Sequence, residues 1–451
     1  MSTYPTEPLK CWNKAKELRE KFYEDYATAK DKGGLRWMGS AWAFDAVPRG
    51  LGKDVYTITG EPYGASCAFN RPLSAEFLKA TENYGFARDL CSYMRNYWGS
   101  ILVNKYAFGG EHPKPDFAWT QHICCSHGKW YQNACELEGG DVPLYVVDVG
   151  AGAYPPFEPI YEHRIKYVAD QLLDGIEWLE KVTGRTFDDE LFLEAVWNDV
   201  RSTSKWAEIC MLNRAVPVPL DEKSIYALYV FGTLEKSNGE FADFYDELYD
   251  EVEDRVARGI SAVGNEKLRW MSDTQPPWGF LNTYRYMELW GAVSIGSLYT
   301  YGLTGIWLYD DKTHDLLPRP LPPEKPGTRE EGCTMLADWH LSKPQYQHFY
   351  SPKYKIEMMD AIAKNWKVDG IILHYNRGCE GLSIGIAESR LGLIDKGHKV
   401  MTYEGNMGDA SEFDETATLK RIDIFLETLG LQKPVMGLHE PVVRHEETLR
   451  Q

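Results

Sequence analysis

Residues 122–135 hold the densest group of possible metal ligands and nucleophiles in the chain. This stretch, HICCSHGKWYQNAC, contains three cysteines and two histidines in a chain that has nine cysteines in 451 residues. Adjacent Cys124 and Cys125 would point in divergent directions on an extended backbone, so only one of them reaches a common ion with ease. No C-x-x-C pair occurs anywhere in the sequence. The spacing therefore argues against a local zinc site.

Single cysteines from distant segments could form a site together if the fold places each of them at a strand end or a helix start. Cys379 follows a predicted strand, opens a predicted helix and has glycine beside it, so helix amides are expected to lower the pKa of its thiol. Cys124 takes the equivalent place in the first half of the chain, and Cys91 begins another predicted helix. On spacing alone, all three could equally be buried core thiols.

Two α/β regions are expected to position these cysteines. Compact β-branched runs that end in glycine or proline predict buried parallel strands, and apolar residues at helical spacing predict helices. The predicted strands are 113–125, Val142–Val149, Gly370–His374 and Lys399–Tyr403. The predicted helices are 8–32, 160–182, 240–258, Leu382–Leu393 and 415–429. The proline-rich segment 316–332 predicts a surface loop, and a second α/β segment is expected to begin near Leu268.

Composition excludes several classes of function. Lysine and arginine number 49 against 67 acidic residues, which gives a net charge of −18 that disfavours nucleic-acid binding. No apolar run is long enough to span a membrane, and the N-terminus lacks the apolar core of a signal peptide. A cytoplasmic location and free thiols are therefore expected. The segment 259–267 does not match the P-loop pattern, and the segment 150–154 does not match the dinucleotide-binding pattern.

Several segments, taken in order, resemble one known family. DLCSYMRNYWG at 89–99 places Cys91 in a Cys-x-x-x-Arg context, ICCSHGKWYQ at 123–132 has an Ile-Cys pair before Lys-Trp-Tyr, and LHYNRGCEGLS at 373–383 has Asn-Arg-x-Cys. The segment 400–430 is similar to the closing segment of the same family. The chain therefore resembles a subunit of the 2-hydroxyacyl-CoA dehydratase / ATP-dependent benzoyl-CoA reductase family.

The resemblance implies an α/β fold with two Rossmann-like, doubly wound domains, an N-terminal helical segment and helical insertions. The expected boundaries are 1–45 for the N-terminal segment, 46–265 for the first α/β domain with its helical extension, and 266–451 for the second. The resemblance also implies a 4Fe-4S cluster between the domains. Carried over by position, its ligands are Cys91, Cys124 and Cys379, with Cys125 as the alternative to Cys124.

The sequence of residues 122–131 and the aromatic-rich first half of the chain resemble the O- or B-type subunit of benzoyl-CoA reductase most closely. Many dehydratase subunits carry an acidic residue where this chain has AVPRGL at 46–51. The expected function is therefore ATP-dependent reduction of the benzoyl-CoA ring to a cyclohexadienoyl-CoA by low-potential electrons. One alternative is a subunit of a 2-hydroxyacyl-CoA dehydratase that eliminates water by a ketyl-radical route. Another is an electron-relay or structural subunit.

The resemblance also implies partners and a proton donor. The expected partners are a homologous iron-sulfur subunit that forms a heterodimer, separate ATP-hydrolysing activator subunits, ferredoxin as the upstream electron donor, and an aryl-CoA thioester as substrate. His127 and His122 lie beside the predicted cluster and are candidate proton donors. A structural histidine remains the alternative for His127. Lys129 and Arg95 could offset thiolate charge or contact CoA phosphates, or be ordinary surface cations.

Overall fold

Two four-stranded parallel sheets and one antiparallel hairpin form the β-structure of the protein. The computed structural model describes residues 4–150, 152, 154–344 and 351–434. All neighbouring strands within each four-stranded sheet are parallel. The strands are β1 (Leu35–Gly39), β2 (Val55–Thr59), β3 (Phe117–His122), β4 (Leu144–Asp148), β5 (Leu268–Ser272), β6 (Ala292–Ser297), β7 (Trp307–Asp310), β8 (Asp315–Pro318), β9 (Gly370–Asn376) and β10 (Val400–Gly405).

The two sheets have the same strand order. The first is β2-β1-β3-β4 and the second is β6-β5-β9-β10, with the hairpin formed by β7 and β8. In each sheet, the second strand in the chain lies on one side of the first strand and the third lies on the other side. The boundary between the first and third strands is therefore the switch point, where doubly wound proteins bind ligands. Residues in β5 and β6 are buried throughout. This burial is typical of a parallel strand covered on both faces.

Helices surround the sheets and connect their strands. The described α-helices are α1 (Trp12–Thr28), α2 (Ala46–Arg49), α3 (Gly60–Phe69), α4 (Arg71–Tyr84), α5 (Ser92–Leu102), α6 (His127–Leu137), α7 (Glu162–Thr183), α8 (Asp189–Leu212), α9 (Glu222–Tyr229), α10 (Phe231–Leu234), α11 (Gly239–Arg258), α12 (Asn282–Leu289), α13 (Leu298–Gly302), α14 (Arg329–Leu341), α15 (Pro352–Asn365), α16 (Glu380–Ser383), α17 (Ile386–Asp395) and α18 (Glu415–Thr428). Short 3₁₀ turns lie at Ala29–Lys32, Trp278–Phe280 and Ala410–Glu412. In the described part of the chain, no helix has both the length and the apolar composition for a membrane crossing.

The α/β prediction is confirmed, and most of the predicted elements lie within a few residues of their observed bounds. The predicted helix Leu382–Leu393 is wrong in one respect, because the chain forms two helices, α16 and α17, instead of one. Gly385 lies between them with a φ of +70°, a backbone conformation that interrupts the helical hydrogen bonds. The division into domains 1–45, 46–265 and 266–451 stays a prediction, and residues 345–350 and 435–451 lie outside the described part.

The proline-rich segment 316–332 is only partly a loop. Its first residues belong to β8, and its last residues begin α14, where Thr328 and Glu331 form a capping box. The sequence analysis also missed β1, β2, β6, β7 and β8, and it marked β5 only as the start of an α/β segment near Leu268. These strands are four to six residues long, and a run this short can be interpreted either as a strand or as a buried helical turn.

The two halves of the chain meet where α5 begins. The backbone N–H of Ser92 donates to the carbonyl oxygen of Gly378 at 3.3 Å, which joins the segments that carry Cys91 and Cys379. A β-carbon on Gly378 would lie 2.5 Å from the Ser92 hydroxyl oxygen, so only glycine permits this approach. Ser74 also donates to the carbonyl of Gly408 at 2.8 Å.

Candidate functional site

Cys91, Cys124 and Cys379 lie close together, although they come from three distant segments. Cys91 directly precedes α5, Cys124 follows β3, and Cys379 follows β9 and directly precedes α16. Burial, and after it the negative charges of Cys379 and Cys124, raise the pKa of Cys91. The charge of Cys124 likewise acts on Cys379. The site therefore lies at the carboxyl ends of the third strands of both sheets.

Each of the three sulfurs receives a backbone hydrogen bond from the start of the helix that follows it. The donors are the N–H groups of Tyr93 and Met94 for Cys91, His127 for Cys124, and Leu382 for Cys379. Such amide donors stabilise negative charge on sulfur. Three helix starts thus present hydrogen-bond donors to one cluster of thiols.

The expected lowering of the Cys379 pKa by a helix amide is present, but burial outweighs it. Burial raises the pKa of this thiol to about 12, and the hydrogen bond from Leu382 offsets only part of the effect. The physical reason is that a thiolate in a dry site loses its hydration, and one amide does not replace it. A positive metal centre would be needed to hold this sulfur as a thiolate.

The other two cysteines of the stretch 122–135 are placed differently. Cys125 is exposed, whereas Cys124 beside it is half-buried. Cys135 is buried on the inner face of α6, and burial raises the pKa of its thiol to about 12. The structure thus brings Cys124 to the other two cysteines, and turns Cys125 outward.

Cys124 is the thiol with a charged neighbour. His127 lies three residues after it, at the start of α6, and the charge of the imidazole acts on the Cys124 sulfur. Although burial acts against the charged form, the anionic partners Cys124 and Glu61 raise the pKa of His127 to about 10. Burial raises the pKa of Cys124, but the charge of His127, with the backbone N–H of the same residue, outweighs burial and lowers the pKa below its usual range. A thiolate–imidazolium pair is therefore favoured.

Glu61 completes this arrangement and was missed by the sequence analysis. Its Oε1 is hydrogen-bonded to Nε2 of His127, and its Oε2 accepts the backbone N–H of Ala41 at 2.8 Å. Glu61 is 7% exposed and lies in the first turn of α3, directly after β2. A carboxylate that follows a predicted strand would have drawn attention to it, but β2 itself was not predicted.

The other candidates from the sequence have partners away from the thiols. His122 is half-exposed and lies 3.7 Å from the Asp148 carboxylate. Arg95 is fully buried and forms an ion pair with Glu82 at 2.8 Å. Lys129 is exposed and donates to Gln132 at 3.0 Å. His127 is the candidate whose charge acts on one of the three sulfurs, that of Cys124.

The second half supports Cys379 with a buried ion pair. Lys355 and Asp273 lie 3.1 Å apart, and both side chains are fully buried. Lys355 also donates to the carbonyl oxygen of Leu382 at 2.8 Å, in the helix that begins after Cys379. The Nε2 of Gln275 lies 3.8 Å from the Cys379 sulfur and donates to it.

The donor set fits an iron–sulfur cluster better than a single ion. In the described residues, no three His, Cys, Asp or Glu side chains are arranged around one ion position. Three thiols with amide donors, contributed by separate helix starts, are instead the ligand type of iron–sulfur clusters. A multi-iron group also separates its sulfur ligands more widely than one ion does.

Comparisons with known proteins bear on the function. The profile of the family described as 2-hydroxyglutaryl-CoA dehydratase, D-component, matches residues 41–429. The (R)-2-hydroxyisocaproyl-CoA dehydratase alpha subunit of Clostridioides difficile is 26% identical over 420 residues, which cover 91% of this chain and 94% of the relative. The lactoyl-CoA dehydratase subunit alpha of Anaerotignum propionicum is 26% identical over 78% of this chain and 82% of its own length.

A third relative extends the same pattern. The (R)-phenyllactyl-CoA dehydratase alpha subunit of Clostridium sporogenes is 23% identical over 78% of this chain and 80% of its own length. All three relatives are named as dehydratase subunits. They favour the dehydratase alternative over the benzoyl-CoA reductase expectation, which these comparisons do not support.

Proposed function

The chain belongs to the 2-hydroxyglutaryl-CoA dehydratase D-component family, and we propose that it is the α-type subunit of a 2-hydroxyacyl-CoA dehydratase. Such an enzyme removes water from a 2-hydroxyacyl-CoA thioester to give an enoyl-CoA. One observation carries the proposal beyond family membership: the Glu61–His127 pair lies directly beside the three-cysteine site. The site thus combines thiol ligands with an acid–base pair.

Cys91, Cys124 and Cys379 would hold a 4Fe-4S cluster in this proposal. The group, when bound, supplies one-electron reduction and one iron without a protein thiolate, which is open to an oxygen ligand. Cys124 is the proposed second ligand because its sulfur faces the other two cysteines, whereas Cys125 is exposed.

Glu61 and His127 are proposed as the groups that accept and donate protons during the reaction. Elimination of water removes a hydrogen from one carbon and a hydroxyl group from the next, so a base and an acid must act at neighbouring atoms. The Glu61 carboxylate is held in place by the Ala41 N–H and by His127, and it would accept or return a proton at a carboxylate oxygen. Positioned acid–base groups of this kind contribute about 10²–10⁴-fold to a rate.

The proposed partners follow from the names of the relatives and from the family resemblance. The relatives are named as alpha subunits of dehydratases, so a second, homologous subunit is proposed as the direct partner. Separate ATP-hydrolysing activator subunits, with ferredoxin upstream, would deliver the electron. The substrate is proposed to be a CoA thioester with a hydroxyl group on carbon 2.

The test uses the full complex, purified without oxygen together with its partner subunit and activator. Mass spectrometry follows five thioesters: 2-hydroxyisocaproyl-, lactoyl-, 2-hydroxyglutaryl-, phenyllactyl- and benzoyl-CoA. Loss of water from at least one 2-hydroxyacyl thioester, with benzoyl-CoA unchanged, is expected. Gain of two hydrogens by benzoyl-CoA, or no turnover by an iron-loaded complex, would overturn the assignment.

A further inference from the structure

The loop at residues 40–45, between β1 and α2, holds the Glu61 carboxylate and is itself held by a buried lysine. The backbone N–H of Ala41 donates to Glu61 Oε2 at 2.8 Å. The carbonyl oxygen of Ala41 accepts a hydrogen bond from Lys236 Nζ at 3.4 Å. Lys236 is 1% exposed. Ala41 is therefore fixed through both of its backbone polar groups.

Lys236 lies in the turn between α10 and α11, and its ammonium group contacts two buried carboxylates. Nζ donates to Asp45 Oδ1 at the end of the loop, and it lies 3.9 Å from Asp199 Oδ2 on α8. The backbone N–H of Ser237 donates to the second oxygen of Asp45 at 2.9 Å. A buried cation requires charged, hydrogen-bonding partners in place of water, so these contacts hold the ammonium group in one position.

The backbone of the loop requires such support. Phe44 has a φ of +56°, a conformation that is unfavourable for a residue with a side chain and persists only where neighbouring groups impose it. The Phe44 ring stacks on His340 with 4.5 Å between the ring centroids, and His340 Nε2 is hydrogen-bonded to Asp199 Oδ2 at 2.9 Å. Asp199 is thus linked to the loop both through Lys236 and through His340.

We infer that Lys236 is a positioning residue: by fixing the backbone of Ala41, it keeps the Glu61 carboxylate where it can exchange a proton with the substrate. The inference rests on the proposed function, in which Glu61 is one of the acid–base groups. A reacting group that is misplaced by about 1 Å can cost about a hundredfold in rate. Loss of Lys236 should therefore lower turnover without changing the affinity for substrate.

The experiment compares Lys236→Met with the unaltered complex, each purified without oxygen together with its partner subunit and activator. Turnover is measured at several concentrations of a 2-hydroxyacyl thioester that the unaltered complex dehydrates. The kcat is expected to fall about tenfold to a hundredfold, while KM and iron content are unchanged. Lys223→Met is the matched control, because Lys223 on α9 is also a largely buried cation that pairs with two carboxylates, Asp221 and Glu288. It should keep near-normal kcat.

Two further variants separate positioning from stability. Lys236→Met/Asp45→Asn also neutralises the carboxylate left without its cation, so it should regain thermal stability, yet its kcat should stay low because Ala41 still lacks its donor. In the Glu61→Gln background, Lys236→Met should lower kcat no further, since a residue that acts through Glu61 has no effect once Glu61 is replaced.

Three results would overturn the inference while the proposed function stands. They are a kcat of Lys236→Met equal to that of the control, recovery of kcat together with stability in the double variant, and full additivity of Lys236→Met with Glu61→Gln. Each would mean that Lys236 only stabilises the fold. Absence of dehydration by the unaltered, iron-loaded complex would instead remove the proposed function.

Discussion

The two sheets have the same strand order, but the cysteine that follows the third strand has opposite surroundings in the two halves. In the first half, Cys124 lies beside His127, whose pKa is raised to about 10 by the neighbouring anions. In the second half, the nearby buried histidine is His374, and burial lowers its pKa to about 4. One half thus presents a charged imidazole, and the other a neutral one.

The difference separates two tasks that one site must perform. The first half carries the groups that can exchange protons, Glu61 and His127. The second half holds Cys379 between Gln275 and the Lys355–Asp273 ion pair, which are fixed by many hydrogen bonds. Under the proposed function, the equivalent strand end would serve chemistry in one sheet and support in the other, because the loops differ while the topology does not.

The largest expected effect comes from replacing the cysteine that each half contributes to the site after its third strand. Cys124→Ala and Cys379→Ala should each abolish iron binding and turnover, because each removes one of only three thiolates. Iron quantitation and EPR of the anaerobically purified complex measure the loss. Cys125→Ala is the matched control, since its side chain is exposed, and it should retain full iron content. Iron retained without Cys379 but lost without Cys125 would contradict the ligand assignment.

Glu61→Gln tests the task of the first half. The amide keeps the shape and can still accept the Ala41 N–H, but it cannot take up a proton as a base. Turnover should fall about 10²–10⁴-fold, while iron content is unchanged. His122→Gln is the control, because His122 is half-exposed and its neighbour is the Asp148 carboxylate, and it should keep near-normal turnover. Equal losses in both variants would remove Glu61 from the mechanism.

The dehydratase and reductase expectations show where sequence patterns were sufficient and where they were not. Family, α/β class and the grouping of Cys91 with Cys379 could be predicted, because local motifs mark strand ends and helix starts. The choice between activities could not, since it rested on a single absent acidic residue near 46–51 and on a few aromatic positions. Glu61 was missed because its position depends on β2, and its role becomes visible only through contacts made across 66 residues with His127.

Lys355→Met tests the support in the second half. It leaves the Asp273 carboxylate buried without its cation, which should cost about 3–5 kcal/mol in the free energy of unfolding. Thermal and urea unfolding of the full chain measure the change. Lys14→Met removes an exposed partner of Glu247 and should change stability by at most about 1 kcal/mol. The double variant Lys355→Met/Asp273→Asn should recover most of the loss, whereas no recovery would mean that Lys355 acts through packing alone.

Replacing His374 is expected to have the smallest effect, which is on the pH dependence of stability. Its neutral imidazole contrasts with the charged imidazole of His127 in the first half. Its Nδ1 is hydrogen-bonded to the Gln275 carbonyl at 2.7 Å, its ring stacks on Tyr403, and Asp273, paired with Lys355, accepts its backbone N–H. Burial lowers its pKa from 6.5 to about 4 despite these partners. Between these values the unfolded chain binds more protons than the folded one, so stability falls as pH falls. Its share of the loss between pH 8 and 5 is about 2 kcal/mol. Urea unfolding of His374→Gln should therefore show a shallower pH dependence than the unaltered chain. An identical slope in both would mean that His374 is not held neutral.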